Sequence, residues 1–414
     1  MRKIFMVLLI ALMFIPVFAT PTITVLTSPP GVGDNRIFDA VKMLKNDYPD
    51  VIVNIINVNL SDGSTLTMDS MLAAGTPPNV YIDTMVRVSK YMIPEFALPL
   101  NGLVRDLDKY QKGVLDPYSR NGDILALPQP GSAQGMCINL DIMNDIGFTV
   151  KDDWTIDDFL AMAEKVKKFY GGKKFATGMF AANQSGDYLL HNWFAAFGAK
   201  YYVNGNYDKS VIADTGGAKV YSFYQTLVKN GYVPPNSATL NDDDYAAAWA
   251  EGKLAATAFF PGWCAGYLQT AIEQKMIDKP FKYKFVPFPR GSGVKSVGTY
   301  ISNGAFIVHK TGNDTIDKLS ARFVEYANGK KAQEYAVSIN NVANRIDVVQ
   351  STDPRLLEVA SIASKNGVYD AGLTDPRFTE RRSIQYPILQ KLLTFKMTPD
   401  QAIQEYQKQL SAVK

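Results

Sequence analysis

The stretch TITVLTSPPGVGDNRIFDAVKMLKNDYPDVIVNII, residues 22–56, decides the fold. Thr22-Ile23-Thr24-Val25-Leu26 alternates as a strand does, and a Pro- and Gly-rich loop follows from Pro29 to Asp34. Ile37, Phe38, Val41 and Leu44 then recur at helical spacing and lay down one apolar face. Pro49 stops that helix, and Val51 to Ile56 reads as a second strand. Met71-Leu72-Ala73-Ala74 closes another helix, which Gly75 caps, with Pro77 and Pro78 just beyond. Val80-Tyr81-Ile82 makes a short buried strand. This βαβαβ order predicts the α/β class, with a mainly parallel sheet covered by helices on both faces. Ligands of such sheets bind beyond the carboxyl ends of the strands. That rule selects Asp83, directly after Ile82, and Asn35, in the loop before the first helix. Asp83 is also a good N-cap for the segment Met85 to Lys90, and the two roles are compatible.

A chain of 414 residues is too long for one ordinary hydrophobic core and predicts two lobes. A formal charge of +3 with no basic run argues against nucleic acid as a partner. Arg2 and Lys3 precede an apolar run from Ile4 to about Ile15, and Val17-Phe18-Ala19 carries the pattern of a signal-peptidase site. Residues 1–19 therefore read as a secretory signal, too short for a mature membrane span, with cleavage after Ala19. No cysteine stands directly after that point, which argues against a lipid anchor; the expected location is the periplasm. Cys137 and Cys264 are the only cysteines. In an exported chain they suit one disulfide, and they suit two buried thiols as well, because sequence does not fix their distance. His191 and His309 stand far apart, so no metal-ligand spacing and no support for a His-based dyad is found, and no cofactor is expected.

Further on, Asn121-Gly122 signals a hairpin turn, and Pro128-Gln129-Pro130-Gly131 separates two strand patterns as a crossover between lobes would. A second sheet begins at Met136-Cys137-Ile138-Asn139-Leu140. Thr155 and Asp158 form a variant of the capping box. Asp242, Asp243 and Asp244 crowd the first turn of a helix, where they complement the positive end of its dipole rather than bind a metal. That helix stops at Gly252 within WAEGKLAATAFFPGW, residues 249–263. A buried strand follows, and Pro261-Gly262 reads as a turn that presents Trp263 at the strand's tip. Trp154 and Trp249 read as core from their helix faces.

Taken in order, several segments resemble the family 1 extracellular solute-binding proteins of ATP-binding cassette importers, in the carbohydrate-binding branch. AAGTPPNVY (73–81) is similar to a family segment, with Asn79 where Asp is usual. GDILALPQP (122–130) and CINLDIMNDIGF (137–148) resemble the strands on either side of the first hinge crossing. DDWTIDDFL (152–160) matches loosely, and FAAFGAKYY (194–202) resembles a helix-to-strand passage. The segment ending at Trp263 is the most specific match.

The resemblance implies a two-lobed, type II periplasmic-binding-protein fold with three hinge crossings. One lobe would hold residues 20–130 and 290–325, the other 131–289 and 326–414. It implies a ligand in the cleft between lobes, with Trp263, Trp193, Tyr300, Asn303, Gln134 and Arg345 as contacts beside Asp83 and Asn35. Arg345 lacks the family's neighbouring proline. An aromatic ring can cover the apolar C–H face of a sugar while amides, carboxylates and Arg bond its hydroxyls. The expected function is capture of a sugar or oligosaccharide for the permease subunits of an importer, by a monomer without catalytic activity. A polyamine or peptide binder on the same fold is the alternative, and a secreted glycosidase a further one. The latter would need two carboxylates at a defined separation, and a chain with 40 acids always offers some pair.

Overall fold

Apolar alternation at the start of the chain builds the first of two sheets. The computed structural model describes residues 20–28, 35–58, 64–151, 153–202, 210–259, 261–295, 299–302, 304–338, 341–349, 357, 371–372, 375 and 377–413. The expected signal segment, residues 1–19, lies outside these. Among the described residues no helix is long and apolar enough to cross a membrane.

The first lobe opens with β1 (Thr22–Thr27), α1 (Arg36–Asp47), β2 (Ile52–Asn57), α2 (Ser64–Ala73), β3 (Val80–Asp83) and the short α3 (Met85–Val88). After α4 (Lys112–Leu115) come β4 (Ser119–Arg120), β5 (Asp123–Ile124) and β6 (Leu127–Pro128). Asn121 and Gly122 both take positive φ between β4 and β5, as the Asn-Gly hairpin requires. The sheet runs β2-β1-β3-β11-β6, where β11 (Ala305–Val308) arrives from far along the chain. Ile23, Val25, Leu44, Val80, Ile82 and Phe306 fill its core against α11 (Asp314–Ala327).

The second lobe grows from β7 (Gly131–Asn139). Its helices are α5 (Leu140–Asp145), α6 (Ile156–Tyr170), α7 (Gly186–Phe197), α8 (Gly217–Lys229) and α9 (Asp242–Ala250). Then follow β8 (Ala256–Phe259), α10 (Pro261–Glu273), β9 (Tyr283–Val286) and β10 (Thr299–Ser302). Beyond α11 lie α12 (Lys330–Ser338), α13 (Phe378–Leu393) and α14 (Pro399–Leu410). The capping box read from sequence, Thr155 with Asp158, forms, and Asn241 with Asp244 and Thr398 with Gln401 make two more. Trp154 and Trp249 are fully buried, as expected.

The two-lobed α/β class holds, but the parallel pairing is narrower than expected. β1 pairs in parallel with β2 and β3, whereas β11 is antiparallel to both β3 and β6. Every pairing between the described strands of the second lobe is antiparallel, and only isolated bridges, Thr155 to Arg290 and Phe175 to Leu254, are parallel. The cause is β7. The β8-α10-β9 unit is a crossover between two strands of like direction, and β7, coming from the other lobe, lies between them running the opposite way. Sequence alternation shows the crossover and not the strand inserted into it.

The hinge is held by amides. Asn344 Nδ2 donates to the carbonyls of Pro128 (3.0 Å) and Gln129 (2.6 Å), and Asn328 Nδ2 donates to Pro128 (2.8 Å). Gln333 Oε1 accepts from the Asn344 N–H at 2.7 Å, and Val342 bridges to Gly131. Residues assigned from sequence to the second lobe from 326 onward thus contact the first lobe up to the hinge. Tyr110 bonds the Asn328 carbonyl, Lys331 meets Asp39, and Arg345 meets Asp106. The segment 290–294 sits on the second lobe instead, where Arg290 bridges to Thr155 and Gly291 bonds Ala196.

Candidate functional site

Four helices of the second lobe begin at one edge. The first turn of α10 follows the carboxyl end of β8, so Pro261-Gly262 is not a turn past the strand but the start of a helix. Proline suits that position because it has no N–H to leave unpaired. Trp263 is therefore carried on a helix and stands half-buried. Its ring centre lies 4.7 Å from that of Tyr267, one turn further along, and 5.6 Å from that of Tyr245 on α9. Tyr245 is fixed from below: its hydroxyl oxygen accepts from Ala258 N–H at 3.0 Å and bonds Thr257, and burial pushes its phenol up to about 12.

Polar groups rim this aromatic patch. The Tyr267 phenol is pushed up by burial and then by the nearby carboxylates of Asp243 and Asp242. Asp242, which opens α9, accepts from Asn183 Nδ2 at 3.0 Å. The next residue, Gln184, donates to Ser383 Oγ on α13 at 2.8 Å. Asp187 and Arg382 form a bidentate pair at 2.6 and 2.7 Å, and both are almost wholly buried. The Arg382 guanidinium lies 4.7 Å from the centre of the Tyr188 ring. Together these residues string along the starts of α7, α9, α10 and α13, where helix ends offer unpaired N–H groups and partial positive charge.

The first lobe meets this edge through α3, which packs against α13. Asp83 ends β3 and is buried; it accepts from Tyr81 Oη (2.6 Å), Thr84 N–H (2.6 Å) and Arg87 Nη1 (3.2 Å). It stands at a strand's carboxyl end, two residues before α3, and bonds the N–H of Thr84 rather than one of the helix. Burial raises the Tyr188 phenol, and Arg382, Asp187 and, from the other lobe, Arg87 and Asp83 all act on it. Charges of both lobes therefore converge on Tyr188.

Sequence reasoning chose Asp83 and Trp263, which stand at the end of β3 in one lobe and just after β8 in the other. It did not place Trp193 correctly. That ring is 2 % exposed and boxed by Phe159, Phe223 and Phe288, so it is core. Nor does Arg345 reach the cleft: it is buried, paired with Asp347 and Asp106, and lies 5.4 Å from the centre of the Tyr110 ring. Asn35 is exposed at the N-terminus of α1. Gln134 is buried on β7 opposite Thr299, and Tyr300 pairs with Ala133, so both belong to hinge strands. Asn303 lies outside the described residues. Tyr267, Asn183, Gln184, Tyr188, Asp187 and Arg382 were missed. One signal was available for Tyr267, which stands four residues after Trp263 and hence on the same helix face. Among the described residues, no group of three or more His, Cys, Asp or Glu side chains could hold a metal ion.

The family model described as "Bacterial extracellular solute-binding protein" matches residues 33–334. An uncharacterised ABC transporter extracellular-binding protein of Pyrococcus horikoshii is 26% identical over 282 residues, 65% of this chain and 61% of that protein, so the match spans about three fifths of that relative. The arabinooligosaccharide-binding protein of Bacillus subtilis is 22% identical over 73% of this chain and 68% of its own. A chitin oligosaccharide binding protein of known structure superposes with a TM-score of 0.77 at 18% identity, over 95% of this chain and 99% of that one. That likeness shows the fold.

Proposed function

The chain belongs to the bacterial extracellular solute-binding protein family, and from that premise we propose that it captures an oligosaccharide between its lobes and hands it to the permease subunits of an ABC importer. The observation that carries this reading is the half-buried Trp263–Tyr267 face rimmed by Asp242, Asp243 and Asn183. A sugar ring has an apolar C–H face and a rim of hydroxyls, and an aromatic ring beside fixed amides and carboxylates complements both. Relatives named for arabino-oligosaccharide and chitin-oligosaccharide binding support the ligand class. In this reading the protein is exported to the periplasm with its signal removed after Ala19, works as a monomer, and releases its ligand unchanged.

Thermal-shift measurements on the purified protein test the reading. Arabinotriose, chitotriose and maltotriose are compared with spermidine and a tripeptide. At least one saccharide is expected to raise the melting temperature, and chromatography is expected to recover it intact. A rise with spermidine or the peptide alone would replace the saccharide by a cationic or peptide ligand, and hydrolysis products would make the protein an enzyme.

A further inference from the structure

Trp263 sits where a helix is least constrained. It is the third residue of α10, within the first turn, and Gly262 beside it adds no side chain to hold that turn. Its own packing leaves it half-buried. The next residue, however, is anchored twice. Cys264 is joined to Cys137 in a disulfide that closes a sequence separation of 127 residues. The carbonyl of Cys264 also accepts the indole N–H of Trp249 at 3.2 Å. Both anchors are rigid. Cys137 lies mid-strand in β7, paired with Thr257 of β8 on one side and Phe285 of β9 on the other. Trp249 is fully buried, its ring edge-on to Phe281 and Tyr283.

We propose that the Cys137–Cys264 disulfide and Trp249 are positioning elements that pre-set Trp263 for ligand. Resting on the saccharide reading of the site, this assigns the bond a role in affinity besides its role in stability. Holding a contact ring in its bound pose before the ligand arrives lowers the ordering cost of binding. The sulfurs are buried at the centre of the lobe, so the bond acts as a permanent brace rather than a switch.

The test uses the full exported chain with both cysteines changed, Cys137→Ala and Cys264→Ala, well below its melting temperature. Without ligand, the indole N–H resonance of Trp263, one of four, is assigned by loss in Trp263→Phe. It is expected to shift and broaden in the double variant while those of Trp154 and Trp193 stay in place. An unchanged Trp263 resonance overturns the proposal whether or not a saccharide binds. With arabinotriose, chitotriose and maltotriose each titrated by calorimetry, affinity is expected to fall about tenfold for whichever binds the parent. In a Trp263→Ala background, removing the disulfide is expected to change affinity no further. Equal losses in both backgrounds would mean that the bond acts on the lobe as a whole and not through Trp263. Trp249→Phe, which deletes the N–H donor together with the pyrrole half of the indole, is expected to weaken binding in the same direction. Absence of binding by the parent to every saccharide would refute the reading of the site, and the resonance would still decide the positioning.

Discussion

Arg382 meets Asp187 through two parallel hydrogen bonds in the interior of the second lobe, joining the second turn of α13 to the first turn of α7. Such a pair is expensive to break and cheap to replace, because breaking it strands a charge out of water. Asp187→Ala should lower stability by about 3–5 kcal/mol, read from the denaturant midpoint. The double change Asp187→Leu with Arg382→Met should recover most of that loss. A double variant no more stable than Asp187→Ala would show that the pair organises the lobe in a way packing cannot replace.

Trp263→Ala should weaken saccharide binding by about 2–4 kcal/mol, or some 30- to 1000-fold, while the ligand-free protein melts near the parent. The alternative is a core role, for which truncation costs about 3–5 kcal/mol of stability. The ring is half-buried on Tyr267 and Tyr245, so both assays are needed. Calorimetry with unaltered affinity and a much lower melt would make Trp263 a packing residue.

Burial lowers the imidazole of His191 to about 4, with Asp187 opposing the shift and Arg382 adding to it. Tyr201 and Phe378 also face the ring. The unfolded state binds the proton at about 6.5, so between about 6.5 and 4 it carries more protons than the folded state. Stability therefore rises with pH through that window and is lost as pH falls. The histidine's share is about 3 kcal/mol. His191→Gln should lose less stability than the parent between pH 7 and pH 4.5, and parallel losses would place the acid sensitivity elsewhere.

At the hinge, Asn344 supplies only donors to the carbonyls of Pro128 and Gln129. Asn344→Ala should cost about 1–3 kcal/mol by leaving acceptors unmet. Asn344→Asp should cost more, since a carboxylate has no donor and would face two carbonyl oxygens. Equal midpoints for the two variants would mean that water replaces the amide freely.

Much of this arrangement was legible in the residues. A helix start announced itself through local chemistry at Thr155, because a cap is settled within four residues. Trp263 was singled out for its place just after the carboxyl end of β8, and it rides on a helix and not on a turn. Trp193 was misread because an amphipathic helix does not tell which of its rings meets another helix. Arg345 was misread because, although Asp347 stands two residues away, Asp106 and the Tyr110 ring that complete its burial come from far earlier in the chain. The rim of the site was hidden for the same cause: Gln184 with Ser383 and Asp187 with Arg382 meet only once the lobe has folded. Cys137 and Cys264 left two readings open, and folding chose the disulfide by bringing their Cα atoms to 6.9 Å.

The place of β11 sets an order of events during synthesis. It is an interior strand, hydrogen-bonded to β3 on one side and β6 on the other. Until Ala305–Val308 has left the ribosome, β6 has no neighbour through which to join β3, and the first lobe cannot close its sheet. The amino-terminal lobe thus waits until most of the second lobe has been made, and the second lobe waits in turn for α13 and α14, whose Ile388, Leu392 and Tyr406 complete its core. A chain truncated just before Ala305 should melt without a cooperative transition from its first lobe, and restoring residues to the end of α12 should bring that transition back.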